Sequence, residues 1–260
     1  MDYLAYFRNM TCPLLEGQVA IITGASRGIG RATAELFAQA GARIVISYSQ
    51  RDDAARQVYD NVTARGQQAI LFQGDVSDYA TAGKLIALAM EHYGRIDILV
   101  NNAGITDPRF FLTIAEDAWD RMLGVNLKSI YNCCKHALPY MVKQGYGRII
   151  SISSDSGKAG SMAGAHYCAA KAGVIGFTKA IANQFAQYNI TANAIAPGLI
   201  DTEMIHWRTP EQWDEDVGLI PLKRVGQGID VARAAAFLGS KQASYITGYT
   251  LDINGGLYMD

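Results

Sequence analysis

The chain has 260 residues, half of them hydrophobic and 18% charged, with a formal net charge of −1. That length is ample for one large core, and the near-neutral balance offers no basic face for nucleic acid or an anionic membrane surface. No apolar run reaches the roughly 18 residues that a membrane-crossing helix needs.

Residues 1–16 carry Asp2 and Arg8 among their apolar residues, so they do not pattern as a signal peptide and read as a loosely held leader. Cys12, Cys133, Cys134 and Cys168 lack metal-ligand spacing; no metal site is expected, and free thiols suit a reducing cytoplasm. From 17 to 260, short β-branched runs alternate with longer stretches of helical period. The predicted strands are Gln18–Thr23, Ala42–Ser47, Ala69–Gln73, Ile96–Asn101, Arg148–Ser153, Ile190–Ala196 and Ile246–Ile253. The predicted helices are Gly30–Ala40, Ala54–Arg65, Ala80–Tyr93, Trp119–Gln144, Tyr167–Tyr188 and Ile229–Leu238. This alternation predicts one α/β domain over 17–260: a doubly wound (Rossmann) parallel sheet of about seven strands, with helices on both faces. Its ligand crevice would lie at the carboxyl ends of the strands. The stretch 201–226 has no clear period and is long enough to form a lid.

The first strand runs into TGASRGIG at 23–30, where Gly24, Gly28 and Gly30 surround Ser26, Arg27 and Ile29. Glycines there permit a tight turn, close backbone approach to a pyrophosphate, and a helix whose first amides face anionic oxygens. A dinucleotide site usually places an acid about 20 residues further on, against the ribose 2′-hydroxyl. Here the second strand ends in Tyr48 and Ser49, and the first carboxylate after them is Asp52. Arg27 and Arg51 stand close by, and a guanidinium fork suits a phosphate. NADP(H) is therefore favoured over NAD(H), unless both arginines are merely solvated or Asp52 folds back toward the ribose.

HYCAAKAG at 166–173 sets Tyr167 and Lys171 one helical turn apart. Alone, that pair reads as part of an ordinary amphipathic helix, with Lys171 solvated and Tyr167 half-buried. In order, however, the chain carries TGASRGIG, Asp75–Val76, NNAG at 101–104, Asn126 in VNL, Ser154 in SISS, Tyr167-x3-Lys171, and PGLIDT at 197–202. This ordered set resembles the short-chain dehydrogenase/reductase family, over nearly everything after the leader. The resemblance implies hydride transfer to or from a nicotinamide, with Asn126, Ser154, Tyr167 and Lys171 catalytic. Tyr167 would be the general acid/base, its pKa lowered by the Lys171 ammonium and by an oxidised nicotinamide. Ser154 would hydrogen-bond the same substrate oxygen. Asn126 would hold a water linking Lys171 to solvent, and a helix-interior Asn can bond to backbone as well. Asp75 and Val76 would border the adenine, and Asn102, Ala103 and Gly104 the adenosine ribose. Pro197, Gly198, Ile200 and Thr202 would close on the carboxamide, with Thr202 alternatively capping a lid helix that contains Met204 and Trp207.

Within the family the chain is most similar to 3-oxoacyl-thioester reductases and related NADPH-dependent ketoreductases, through YITGYTLDINGGLYM at 245–259 and VNLKSIYNCCKHALPYMV at 125–142. One departure stands out. The two arginines by which the acyl-carrier-protein reductases dock their acidic partner fall, by register, on Gly145 and Tyr188, so carrier docking is doubtful. Lys143, Arg148 or Lys179 could compensate. Trp207 and Trp213 in the lid suit an apolar substrate body or simply pack the lid, and WDEDV makes an acidic patch. The alternatives are an NAD-dependent dehydrogenase of a secondary alcohol, sugar or steroid, and a relative that binds dinucleotide without turnover. The resemblance also implies a homotetramer.

Overall fold

A computed structural model describes residues 14–206 and 208–260. Most of the predicted leader, Cys12 and Trp207 lie outside the described residues. The last residues of the leader are not loose: Leu15 is fully buried, and its amide donates to the Ala40 carbonyl at 2.8 Å.

The chain lays down strands β1 (Val19–Ile22), β2 (Arg43–Tyr48), β3 (Ala69–Gln73), β4 (Ile98–Asn101), β5 (Gly147–Ile152), β6 (Ile190–Pro197) and, last, β9 (Thr250–Ile253). They form a seven-stranded sheet in the order β3-β2-β1-β4-β5-β6-β9, parallel at every pairing. Alternation along each strand divides the core into two layers. Ala20, Ile22, Ile44, Ile46, Ile98 and Val100 face one side, where α1 (Gly28–Gln39), α2 (Asp52–Thr63) and α9 (Gly228–Gly239) pack. Ile21, Val45, Leu99 and Ile149 face the other, against α3 (Tyr79–Tyr93), α5 (Ser129–Gln144) and α7 (Ala165–Phe185). Cys133 and Cys134 are core residues of α5. The chain winds one way from β1 to β3 and the other from β4 to β9, so a crevice opens between β1 and β4. Among the described residues no helix is long and apolar enough to cross a membrane.

Three predicted elements need correction. The helix expected over Trp119–Gln144 is two: α4 (Glu116–Leu123) joins α5 through a π-helical turn, Gly124–Lys128. The last strand is shorter than Ile246–Ile253, because Gly248 turns the backbone with φ +74°. The lid carries regular structure among its described residues. It contains the short strand β7 (Ile200–Asp201), a 3-10 turn (Glu203–Ile205), helix α8 (Pro210–Leu219), and strand β8 (Gly226–Gln227), which pairs with β7.

Candidate active site

A cavity of about 940 Å³ opens at the carboxyl ends of the strands. Every residue expected in the site lines it except Gly30, which sits just behind. Gly24 and Gly28 turn the backbone with φ +64° and +53°. A Cβ on Gly30 would lie 2.3 Å from the Gly24 carbonyl and 2.6 Å from Asn102 Nδ2, so no larger residue fits. The first turn of α1 carries no side-chain cap and no acid, which leaves its free amides available to an anion at the cavity wall. This cradle fits a pyrophosphate. Thr23 ties it to the NNAG loop: its hydroxyl accepts from the amides of Asn102 at 2.9 Å and Ala103 at 3.0 Å. Asn102 Nδ2 donates back to the carbonyls of Thr23 and Gly24.

At the tip of β2, Tyr48, Ser49 and Arg51 meet Arg27 from the glycine turn. Asp52 does not reach the cavity. Its carboxylate accepts from the Tyr48 hydroxyl at 2.5 Å and from Arg56 Nε at 2.6 Å, and these two bonds hold its pKa below the usual carboxylate range. Asp75, exposed, and Val76, buried, follow β3 on the same wall.

The helix α7 presents Tyr167 and Lys171 beside Ser154, which follows β5. Lys171 is buried at 4% exposure; Nζ donates to the Ile152 carbonyl at 2.9 Å and lies 5.7 Å from the centre of the Tyr167 ring. Gly104 makes room: a Cβ there would approach Asn126 Oδ1 at 2.7 Å and Lys171 Nζ at 3.6 Å. Ser154 Oγ donates to Asp155 Oδ1 at 3.0 Å and accepts from the Ser156 amide at 3.1 Å. Burial pushes the Asp155 carboxyl up, against the pull of its hydrogen bonds from Ser154 and Ser156.

The electrostatics reverse one expectation. The Tyr167 phenol is not made acidic by its neighbour. Burial pushes its pKa up to about 12, opposed by its hydrogen bond with Ser154. The same burial brings Lys171 down to about 8. Desolvation works against the charged form of each group; the phenol stays protonated, while Lys171 still carries its proton at neutral pH at a cost to the fold.

Asn126 makes the backbone bonds. Its Nδ2 donates to the carbonyls of Ile105 at 3.0 Å and Met122 at 3.2 Å, while Oδ1 accepts from the Ile105 amide at 3.2 Å. A side chain bonded into the ladder at the Met122 carbonyl is a sufficient cause for the π turn. Thr202 makes no side-chain cap, and Met204 lies in a 3-10 turn; the lid helix is α8, capped by Thr209 with Gln212. Trp213 does not line the cavity, whereas Met204, Ile205 and Leu219 do. Of the WDEDV acids only Asp216 lines it, paired with Arg208 at 2.6 Å. Arg148 cannot serve a docking face, being 2% exposed with its guanidinium on the carbonyls of Gly147 and Asn189. The roles of Thr23 and Asp155 escape a reading of the sequence although both adjoin quoted motifs, and Glu203 escapes it because only tertiary approach brings it to Arg27.

Residues 18–213 match the family model described as short chain dehydrogenase. The 3-oxoacyl-[acyl-carrier-protein] reductase FabG of Staphylococcus aureus (strain N315) is 40% identical over 240 residues, 92% of this chain and 98% of its own. The protein of the same name from Salmonella typhimurium (strain LT2) is 41% identical over 244 residues, 94% of this chain and 98% of its own.

Proposed function

The chain belongs to the short chain dehydrogenase family, and within it we propose an NADPH-dependent reductase of a ketone or 3-oxoacyl thioester. As a member it is an oxidoreductase that works between a carbonyl and an alcohol with a nicotinamide dinucleotide.

One observation carries the reading: Tyr167 stands with Ser154 and Lys171 in the cavity that the glycine turn also lines. Tyr167 is a phenol that burial keeps protonated, with a pKa of about 12, beside Ser154. Such a group holds its proton until negative charge grows on a carbonyl oxygen, then gives it up to the far more basic alkoxide. A nicotinamide dinucleotide held by the glycine turn and the β2 tip would supply the hydride for the carbonyl carbon. Ser154 orients the substrate oxygen toward Tyr167, and Asp155 and the Ser156 amide fix the Ser154 hydroxyl. Lys171 and Asn126 are positioning residues here: Lys171 is anchored on the Ile152 carbonyl, and Asn126 clamps the loop that carries Gly104 and Ile105. Catalysis is mostly orientation and donors set where charge develops.

The preference for NADPH rests on the absence of an acid at the β2 tip, where Asp52 is engaged by Tyr48 and Arg56, and on Arg27 and Arg51 across the same wall. The relatives are named for acyl-carrier-protein substrates, and a 3-oxoacyl thioester suits a mouth lined by Met204, Ile205 and Leu219. Carrier docking is weaker. Gly145 closes α5 at φ +67°, a conformation that an arginine would adopt only under strain, and of the substitutes Lys143 and Lys179 alone are exposed. A homotetramer and a reducing cytoplasm complete the proposal, the latter suited to the free thiols of Cys133, Cys134 and Cys168. A panel of ketones and 3-oxoacyl thioesters, each with NADPH and with NADH, tests it. Turnover of a thioester with NADPH is expected. Activity only on alcohols with NAD would overturn the assignment.

A further inference from the structure

Two guanidiniums and one carboxylate converge at the adenosine end of the cavity. Arg27 Nη1 lies 2.6 Å from Glu203 Oε2, and Arg51 Nη1 lies 3.5 Å from the same oxygen. The three come from separate parts of the chain: the glycine turn, the tip of β2, and the lid. Arg51 reaches the meeting point from a left-handed backbone, φ 63° and ψ 60°, which a non-glycine residue holds only when its surroundings impose it. All three side chains are about half exposed, and all line the cavity beside Tyr48 and Ser49.

The donors at this fork are finite. A ribose 2′-phosphate, carrying a charge of about −1.5 to −2 at neutral pH, would seek the same guanidinium hydrogens that Glu203 engages. A ribose 2′-hydroxyl, being uncharged, would not contest them. We propose that Glu203 tunes cofactor preference from the lid by competing with the 2′-phosphate for Arg27 and Arg51. The carboxylate thereby narrows the advantage of NADPH over NADH that the two arginines create. It also links that choice to the substrate mouth, because Met204 and Ile205 of the same 3-10 turn border the cavity. This inference rests on the proposed role of Arg27 and Arg51 as the phosphate site.

Wild type, Glu203→Gln and Glu211→Gln can be titrated with NADPH and NADH by nicotinamide fluorescence. Adenosine 2′,5′-bisphosphate and AMP serve as competing fragments that lack the nicotinamide. Glu211 makes no ion pair among the described residues and controls for lid charge at large. Glu203→Gln should tighten NADPH and the bisphosphate roughly two- to fivefold, the range expected for part-exposed charges, and move NADH and AMP far less. Glu211→Gln should change none of the four. An NADPH-to-NADH affinity ratio that stays level or falls in Glu203→Gln overturns the proposal while leaving the phosphate site itself intact. A wild type that binds NADH more tightly than NADPH removes the phosphate site, and this inference with it.

Discussion

Replacing Lys171 by Met should abolish turnover and stabilise the fold. Lys171 is buried at 4% exposure, with one hydrogen bond, to the Ile152 carbonyl, and no carboxylate partner among the described residues. Its pKa falls to about 8 in the fold from 10.5, so at neutral pH the folded chain bears a cost of about 3 kcal/mol at roughly 1.4 kcal/mol per pH unit. Methionine fills the same volume without charge but leaves the Ile152 carbonyl unpartnered, a loss of about 1 kcal/mol. The net gain at pH 7 should be about 2 kcal/mol. Sign and window follow from linkage. Between pH 8 and 10.5 the unfolded lysine binds more protons than the folded one, so wild-type stability rises with pH there, and the gain is lost as pH falls. Denaturant unfolding of both proteins at pH 7 and at pH 9.5 isolates the contribution, since other titrating groups cancel in the difference. The advantage of Lys171→Met should shrink by about 2 kcal/mol across that interval. A variant less stable than wild type at pH 7, or an advantage that does not change with pH, refutes a desolvated lysine.

Ultraviolet titration of wild type against Tyr167→Phe should show no extra phenolate below pH 10 in the free protein, because burial raises this pKa to about 12. Adding NADP+, a cationic ring, should bring it down; a phenolate already present near pH 8 without cofactor contradicts the setting of Tyr167. Gly30→Ala places a Cβ 2.3 Å from the Gly24 carbonyl, which should cost about 2 kcal/mol in thermal unfolding and more than about tenfold in NADPH binding. Unchanged binding would remove the glycine cradle from the site. Asn126→Ala strips both backbone groups of Ile105 of their partner and should lower stability by about 1–3 kcal/mol, with hydrogen exchange at Ile105 rising sharply. Protection that persists there would show that Asn126 does not hold the loop.

The sheet is legible because β-branched runs such as VAII and RIVISY must bury both faces, and each strand lies where its run does. The break in Trp119–Gln144 is not, since the hydrophobic period continues through it and the cause is one side-chain amide, that of Asn126, bonded into the helix ladder at the Met122 carbonyl. The lid helix carries too many charges to show a period. Its start was nonetheless written in TPEQ, where Thr209 and Gln212 form a capping box. The glycine turn announces itself by spacing, whereas Tyr167 and Lys171 become legible only through the ordered set of motifs around them. Glu203 does not, because its meeting with Arg27 spans 176 positions. The sign of the Tyr167 shift also lay beyond the sequence: spacing gives proximity to a lysine, and only packing shows that both groups have lost water.

The proton donor itself is tested most directly by single-turnover reduction of an accepted ketone or thioester with saturating NADPH, comparing wild type with Tyr167→Phe. The variant should bind NADPH as wild type does and reduce at no more than about one-hundredth of its rate, as loss of a general acid requires. A rate equal to wild type would mean that the proton comes from elsewhere and that Tyr167 is not the acid.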